Sequence, residues 1–179
     1  SGAVLGQLVG GMVDGASEMP GRSAPPERLG QGGLDVVLPY GGGTPTTVGY
    51  GSVATPGALA GYELASQRFG RIPWQVLLEP ACRYAHAGFP LPPAAHRFID
   101  ATRDGIFGWN PPALAPLLDE LGNMKGAGET IRVQGLGDSL TAIAEEGVRI
   151  FYRGDIARLI ATDMEKHGGL LGLSDLEGY

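Results

Sequence analysis

GSVATPGALAGYELASQRFGRIPWQVLLEPACRYAHAG, residues 51–88, decides the fold. Apolar residues recur in it at intervals of three and four, the spacing of helices with one buried face, and Gly and Pro divide it into two such helices. Thr55 carries the hydroxyl of an N-cap, and Pro56 suits the first helical position, where its missing N–H is not needed. Leu59, Tyr62, Ala65 and Phe69 then share one face, and Gly70 stops the helix. A second helix is expected from Pro73 to an end near Gly88, with Trp74, Leu77, Leu78, Ala81 and Tyr84 turned inward. Pro80 removes one of its backbone hydrogen bonds and should kink it.

Upstream the texture differs. Residues 1–50 are rich in Gly and Pro, and apolar pieces such as VLGQLVGGM and LDVVLPY are separated by breakers, which suits short strands and loops. The expected organisation is a strand and loop segment over 1–50 and a helical segment over 51–179, both parts of one larger domain. Downstream, Pro-rich turns at 90–93 and 111–116 leave room only for short helices. ELGNMKGAGETIRVQGLGD, residues 120–138, reads as an exposed loop with a short strand at Ile131–Gln134. Leu140, Ile143 and Ala144 mark a short helix stopped by Gly147. Ile156, Leu159, Ile160 and Met164 mark a longer one stopped by Gly168 and Gly169. Ser174 and Glu177 have capping-box spacing and announce a last helix start. No fixed repeat period runs through the chain, which argues against a helical solenoid.

The composition narrows the function classes. With 43% hydrophobic and 18% charged residues in 179, the chain has enough apolar surface to offset its ordering entropy, as one domain or as a piece of a larger protein. The net charge of -6 has no basic block behind it, so neither nucleic acid nor an anionic membrane is an expected partner. No run of eighteen apolar residues offers a membrane span, and SGAVLGQLVGGMVDG lacks the basic flank and cleavage site of a signal peptide. Cys82 is the single cysteine and sits in the apolar run LLEPACRYA, so it is expected on a core-facing helix surface rather than in a disulfide or a thiolate metal site.

Several groups invite a chemical reading. GLGDSL, residues 135–140, begins like a dinucleotide fingerprint, but its sixth position is Leu140 and no acidic ribose partner follows at the required distance. His86, His96 and His167 show neither an HExxH pattern nor i, i+4 pairing, so no metal site is expected from them. Asp138, Glu145, Glu146 and Asp155 lie at helix ends or on polar faces, where carboxylates stay solvated or complement the helix dipole. Ser1 would be a self-activated nucleophile if its amine were a processed terminus; the plainer reading is a sequence that simply begins there. Arg22 follows a strand-like segment in GRSAPPERL and presents a fixed, permanently charged fork suited to a carboxylate; an ordinary surface Arg is the alternative.

In combination, VATPGALAGY, RFGRIPW, AHAGFPL, FYRGDIA and HGGLL, with GRSAP before them and LSDLEGY after, stand in an order that resembles the gamma-glutamyltranspeptidase family, in the middle of its large subunit. The resemblance covers most of residues 20–179. It implies an α/β fold, a fragment of an αββα N-terminal nucleophile hydrolase sandwich, predominantly helical in this portion with short strands near the N-terminus. It also implies a precursor that cleaves itself, after which the N-terminal Thr of the small subunit attacks a gamma-glutamyl amide such as glutathione. No cofactor is implied; the partners are the gamma-glutamyl substrate and the catalytic small subunit of the same precursor. Arg22 falls on the family's Arg that pairs with the substrate's alpha-carboxylate.

The chain also departs from the family. Ser23 stands where the family often has an acidic residue, and SGAVLGQLVGGM only loosely echoes the family's Gly-rich strand. These departures bear on substrate specificity and keep open an acylase acting on glutaryl or cephalosporin side chains. The catalytic Thr has no counterpart here, and Thr55, being internal, has no free amine to replace it, so no catalytic residue is expected in this chain and the chain alone is expected to be inactive. Members of the family are commonly exported, which points to a periplasmic or extracellular setting, although no residue of this chain bears on it. A non-catalytic helical binding module on the same ancestral fold is the competing reading.

Overall fold

The computed structural model describes residues 34–38 and 43–179, with side chains described at 43 and from 47 onward. Strand β1 (Leu34–Leu38) pairs antiparallel with β2 (Thr44–Val48), in a register that runs from Leu34 opposite Val48 to Leu38 opposite Thr44. Pro45 sits in β2 opposite Val37, a position compatible with the edge of a sheet because proline has no N–H to donate. A short 3-10 turn at Tyr50–Ser52 leads to helices α1 (Ala58–Phe69) and α2 (Trp74–Ala87). Next come β3 (Phe89–Pro90), α3 (Pro93–Ile106), α4 (Pro111–Leu114) and a 3-10 turn at Ala115–Leu117. β4 (Thr130–Ile131) pairs antiparallel with β3, closing a hairpin around the intervening helices. The chain finishes in α5 (Leu136–Glu146), α6 (Arg149–Arg153), α7 (Asp155–Lys166) and α8 (Leu173–Glu177).

Two apolar clusters hold these elements. The larger joins Ile143 of α5, Phe151 and Tyr152 of α6, Ile160 and Met164 of α7 and Leu176 of α8, with Trp74, Leu78 and Leu59 packed against it. Near-complete burial of such side chains contributes about 1.5–3 kcal/mol each on transfer alone. The smaller joins Leu91, Leu117 and Ile131 under the β3–β4 pair. α2 and α5 run in close contact, and Gly137 permits it: a methyl group there would lie 2.5 Å from Nδ1 of His86. The Trp74 indole N–H donates to the Ile143 carbonyl at 3.1 Å, tying the start of α2 to the end of α5.

The helix pair read from residues 51–88 is present, and its details differ from the expectation. Thr55 does not cap α1; the N-cap is Gly57, and Pro56 and Gly57 are buried before the helix begins. The donor that a cap would satisfy is met from elsewhere, because the Ala60 N–H donates to the Tyr152 hydroxyl at 3.2 Å. Tyr62 and Phe69 face solvent at 57% and 80% exposure. In α2 the buried face is turned from the expected one: Trp74 and Leu78 pack inward and Ala85 is buried, while Leu77, Ala81 and Tyr84 are exposed. Cys82 is half-buried. Pro80 lies inside α2, and the helix continues through it to Gly88, whose φ of 84° ends it.

Further along, α3 has 14 residues where only short helices were expected, because Pro93 occupies its first turn and initiates it instead of breaking it. The strand expected at Ile131–Gln134 is the shorter Thr130–Ile131, since its partner among the described residues is the two-residue β3. Leu159 is 59% exposed and does not share the inward face of Ile156, Ile160 and Met164. The last helix is capped two residues earlier than the Ser174–Glu177 spacing implied: the Gly172 N–H donates to the Asp175 carboxylate at 2.8 Å. α6 was not read from the sequence; its residues Phe151 and Tyr152 are buried, packed edge to face with ring centroids 5.0 Å apart.

Candidate functional site

The most constrained polar feature lies where α6 meets the bend before α1. The Tyr152 hydroxyl donates to the Pro56 carbonyl at 2.5 Å while accepting the Ala60 N–H, so the bend and the first turn of α1 hang on one phenol. Tyr179 stacks on Tyr152 with centroids 5.6 Å apart and presses on Gly57, where a methyl group would meet its hydroxyl at 1.9 Å. Burial, opposed by the Ala60 hydrogen bond and aided by Tyr179 and then by the charge of Glu63, pushes the Tyr152 phenol up to about 12. It is therefore a proton donor held in place across neutral pH, not a base.

A second polar cluster ties Tyr50, just after β2, to the last turn of α7. The Tyr50 hydroxyl donates to the Asp163 carboxylate at 3.1 Å, and its ring stacks on His167 at 4.5 Å and meets Trp109 edge-on at 5.5 Å. His167 Nδ1 lies 2.8 Å from the Asp163 carbonyl and 3.4 Å from its carboxylate. Partial burial, then the Asp163 charge and hydrogen bond, push the Tyr50 phenol up to about 12. Both clusters lock loops to helices; neither presents a nucleophile.

One arrangement imitates a catalytic triad. His86 Nε2 is 3.1 Å from Thr141 Oγ1, and its Nδ1 is 4.0 Å from Asp138. The Thr141 hydroxyl, however, donates to the Gly137 carbonyl at 2.8 Å, one turn back in its own helix. Its proton is thus committed away from the imidazole, and the Asp138 distance is too long for a hydrogen bond. The cluster is exposed and serves to join α2 to α5.

The remaining candidates within the described residues do not converge on one site. Arg22 and Ser1 lie outside the described residues. Glu145 and Glu146 are exposed on the rim of a cleft of about 330 Å³ shared with Glu63, Gln67 and Trp74. Asp155 is at the start of α7 and pairs with Arg158 at 3.1 Å, as its helix-end position suggested. No cluster of three or more potential metal ligands exists among the described residues. GLGDSL begins α5, and its glycines serve the turn and the His86 contact. No described helix is long and apolar enough to cross a membrane. Tyr152 follows Ile150 and Phe151, and a phenol in such an apolar run must find a partner once buried, whereas Tyr50 between Gly49 and Gly51 carries no such local signal.

Comparison with solved structures gives the fold class. The crystal structure of Helicobacter pylori gamma-glutamyltranspeptidase matches with a TM-score of 0.65 at 22% identity, over 84% of this chain and 51% of that one. A cephalosporin acylase from Bacillus halodurans matches with a TM-score of 0.62 at 32% identity, over 72% of this chain and 24% of that one. The fold is that of the N-terminal nucleophile hydrolases, represented here by a mostly helical portion with few short strands. The chain belongs to the gamma-glutamyltranspeptidase family, whose profile matches residues 38–179. Glutathione hydrolase 2 of Arabidopsis thaliana is 35% identical over 128 residues, 72% of this chain and 22% of that protein. The glutathione hydrolase proenzyme of Pseudomonas aeruginosa is 34% identical over 132 residues, 74% of this chain and 23% of that protein. The chain therefore spans about a fifth of the length of these curated relatives.

Proposed function

We propose that this chain acts as a large-subunit portion of a gamma-glutamyltransferase or hydrolase that cleaves gamma-glutamyl amides such as glutathione. The observation that carries the reading is the family match across residues 38–179, together with relatives named glutathione hydrolases. In this reading the strand and loop segment 1–50 and the helical segment 51–179 are parts of one larger domain. The nucleophile is an N-terminal Thr on the small subunit of the same precursor, outside this chain. Its hydroxyl adds to the amide carbon, the amine departs with a proton, and the acyl-enzyme passes to water or an amino acceptor. Backbone N–H groups stabilise the oxyanion, so no cofactor enters. Arg22 holds the alpha-carboxylate of the gamma-glutamyl group through a two-pronged ion pair.

The test is hydrolysis of a chromogenic gamma-glutamyl anilide. Residues 1–179 alone should show no turnover, the assembled precursor product should turn over, and Arg22→Ala in that product should raise KM. Robust activity of the isolated chain, or an unchanged KM in the variant, overturns the corresponding part of the reading. The cephalosporin acylase match at 32% identity favours a second reading, an acylase for glutaryl or cephalosporin side chains. A glutaryl anilide cleaved in preference to the gamma-glutamyl one decides for it.

A further inference from the structure

A two-stranded pair is marginal by itself and needs a body to lean on. β1 (LDVVL) and β2 (TPTTV) do not alternate apolar and polar residues, so neither carries the clean apolar face that would fix the pair to the helices. β1 touches α3, and at the exit of β2 Val48 is buried. Two residues further on stands Tyr50, whose contacts are polar and directional. Its hydroxyl donates at 3.1 Å to Asp163, 113 residues away, its ring lies flat on His167, and Trp109, between α3 and α4, meets its edge. Gly169 approaches the Tyr50 backbone so closely that a methyl group there would lie 3.2 Å from the carbonyl oxygen. The exit of β2 is thus tied to three separate parts of the helical body.

Asp163 stands there against its local preference. It lies in the last turn of α7, where the helix dipole disfavours a carboxylate, and its side chain is only 21% exposed. His167, one turn on, shares it: a carbonyl only accepts, so Nδ1–H donates to the Asp163 carbonyl at 2.8 Å, with the carboxylate at 3.4 Å. Apolar residues at these positions would pack without that cost. What the polar set adds is direction, because a hydrogen bond selects one arrangement where apolar contact allows several. We propose that Tyr50, Asp163 and His167 form a positioning latch that fixes the β1–β2 pair on the helical body and so sets where the segment entering β1, which carries Arg22, presents its guanidinium to the gamma-glutamyl carboxylate. The three act through Arg22. The inference rests on the assignment of Arg22 made above, while the latch itself rests on the geometry of the described residues.

The test uses the assembled precursor product. Tyr50→Phe keeps the ring and removes the hydroxyl; Asp163→Asn keeps the shape and removes the charge. Each should raise KM for the gamma-glutamyl anilide about tenfold and leave kcat within about twofold, the split expected when an anchor for ground and transition state alike is misplaced. In an Arg22→Ala background the same changes should leave KM where Arg22→Ala alone puts it, since no guanidinium remains to be misplaced. Effects on KM that multiply in the double variants, or an unchanged KM in both single variants, overturn the proposal. A second measurement is independent of turnover. Spin labels on cysteines introduced at Asp35 and Glu165, with Cys82→Ser, should give one narrow distance in the parent and a broadened or shifted distribution in Tyr50→Phe, while circular dichroism checks that the helices are kept. A distribution that Tyr50→Phe does not alter overturns the latch. An altered distribution in a protein that hydrolyses no anilide, or whose KM ignores Arg22→Ala, leaves the latch standing and removes only the assigned activity and its consequence for Arg22.

Discussion

The two halves of the helical segment treat the same apolar periodicity in opposite ways. In α5 to α8 the residues spaced by three and four converge: Phe151 is 2% exposed, Met164 2% and Leu176 0%. In α1 and α2 the same spacing leaves Phe69 80%, Tyr84 56% and Leu77 47% exposed. Periodicity states which residues share a face, whereas burial depends on what lies opposite that face. In the C-terminal half the opposite element is the next helix in the chain; on the outer side of the α1–α2 pair it is absent from the described residues.

The largest effect that can break this contrast is expected at Phe151. Phe151→Ala should cost about 3–5 kcal/mol in denaturant unfolding, from lost transfer energy and the cavity left among Tyr152, Ile160 and Leu176. A cost below about 1 kcal/mol, the size of an ordinary surface change, would mean that the C-terminal cluster is not the stability core.

Tyr152→Phe comes next and probes how that core holds the exposed pair. It leaves the Pro56 carbonyl and the Ala60 N–H without their partner and should cost about 1–3 kcal/mol. It also changes the alkaline limb of stability. The folded phenol is pushed up to about 12 while an unfolded one ionises near 10. Between those values the unfolded state has released a proton that the native state retains, so stability is intact below the lower value and falls as pH rises through the higher one. Tyr152→Phe should remove part of that slope, leaving the part due to Tyr50. An identical slope in wild type and variant would mean that Tyr152 is not protected from ionisation in solution.

Helix existence was legible where breakers bounded a periodic run. Gly70, Gly88 and Gly147 are the C-caps of α1, α2 and α5, as their positions in the sequence implied. Caps made from afar were not legible: the group that satisfies the first turn of α1 is Tyr152, 92 residues from Ala60, and no local pattern encodes it. Pro93 was misread because proline both breaks and begins helices, and only the chain that follows decides which. The family was legible from motif order, yet those motifs record packing. VATPGALAGY and FYRGDIA meet through Pro56, Ala60 and Tyr152, while Arg22 lies outside the described residues.

A smaller effect tests the seam between α2 and α5. Gly137→Ala gains about 0.5–1 kcal/mol of helix propensity but drives a methyl group into the His86 ring. Overpacking of this kind costs about 1–3 kcal/mol, so the variant should be destabilised by about 1 kcal/mol net. In a His86→Ala background the clash is gone and Gly137→Ala should become neutral or stabilising. Additive effects of the two changes in a double-mutant cycle would show that α2 and α5 are not in contact at this point in solution.

The smallest effect is the most telling for the exposed half. Phe69→Ala removes an aromatic side chain that is 80% exposed at the end of α1, so unfolding of residues 1–179 should change by no more than about 0.5 kcal/mol. The same change at a buried Phe is worth several times that, so the comparison with Phe151→Ala uses one chemistry in two environments. A cost near the core value would require that the α1 face is already covered in the isolated chain, by its own residues or by a second copy. Dilution separates those two, because only self-association makes stability depend on protein concentration.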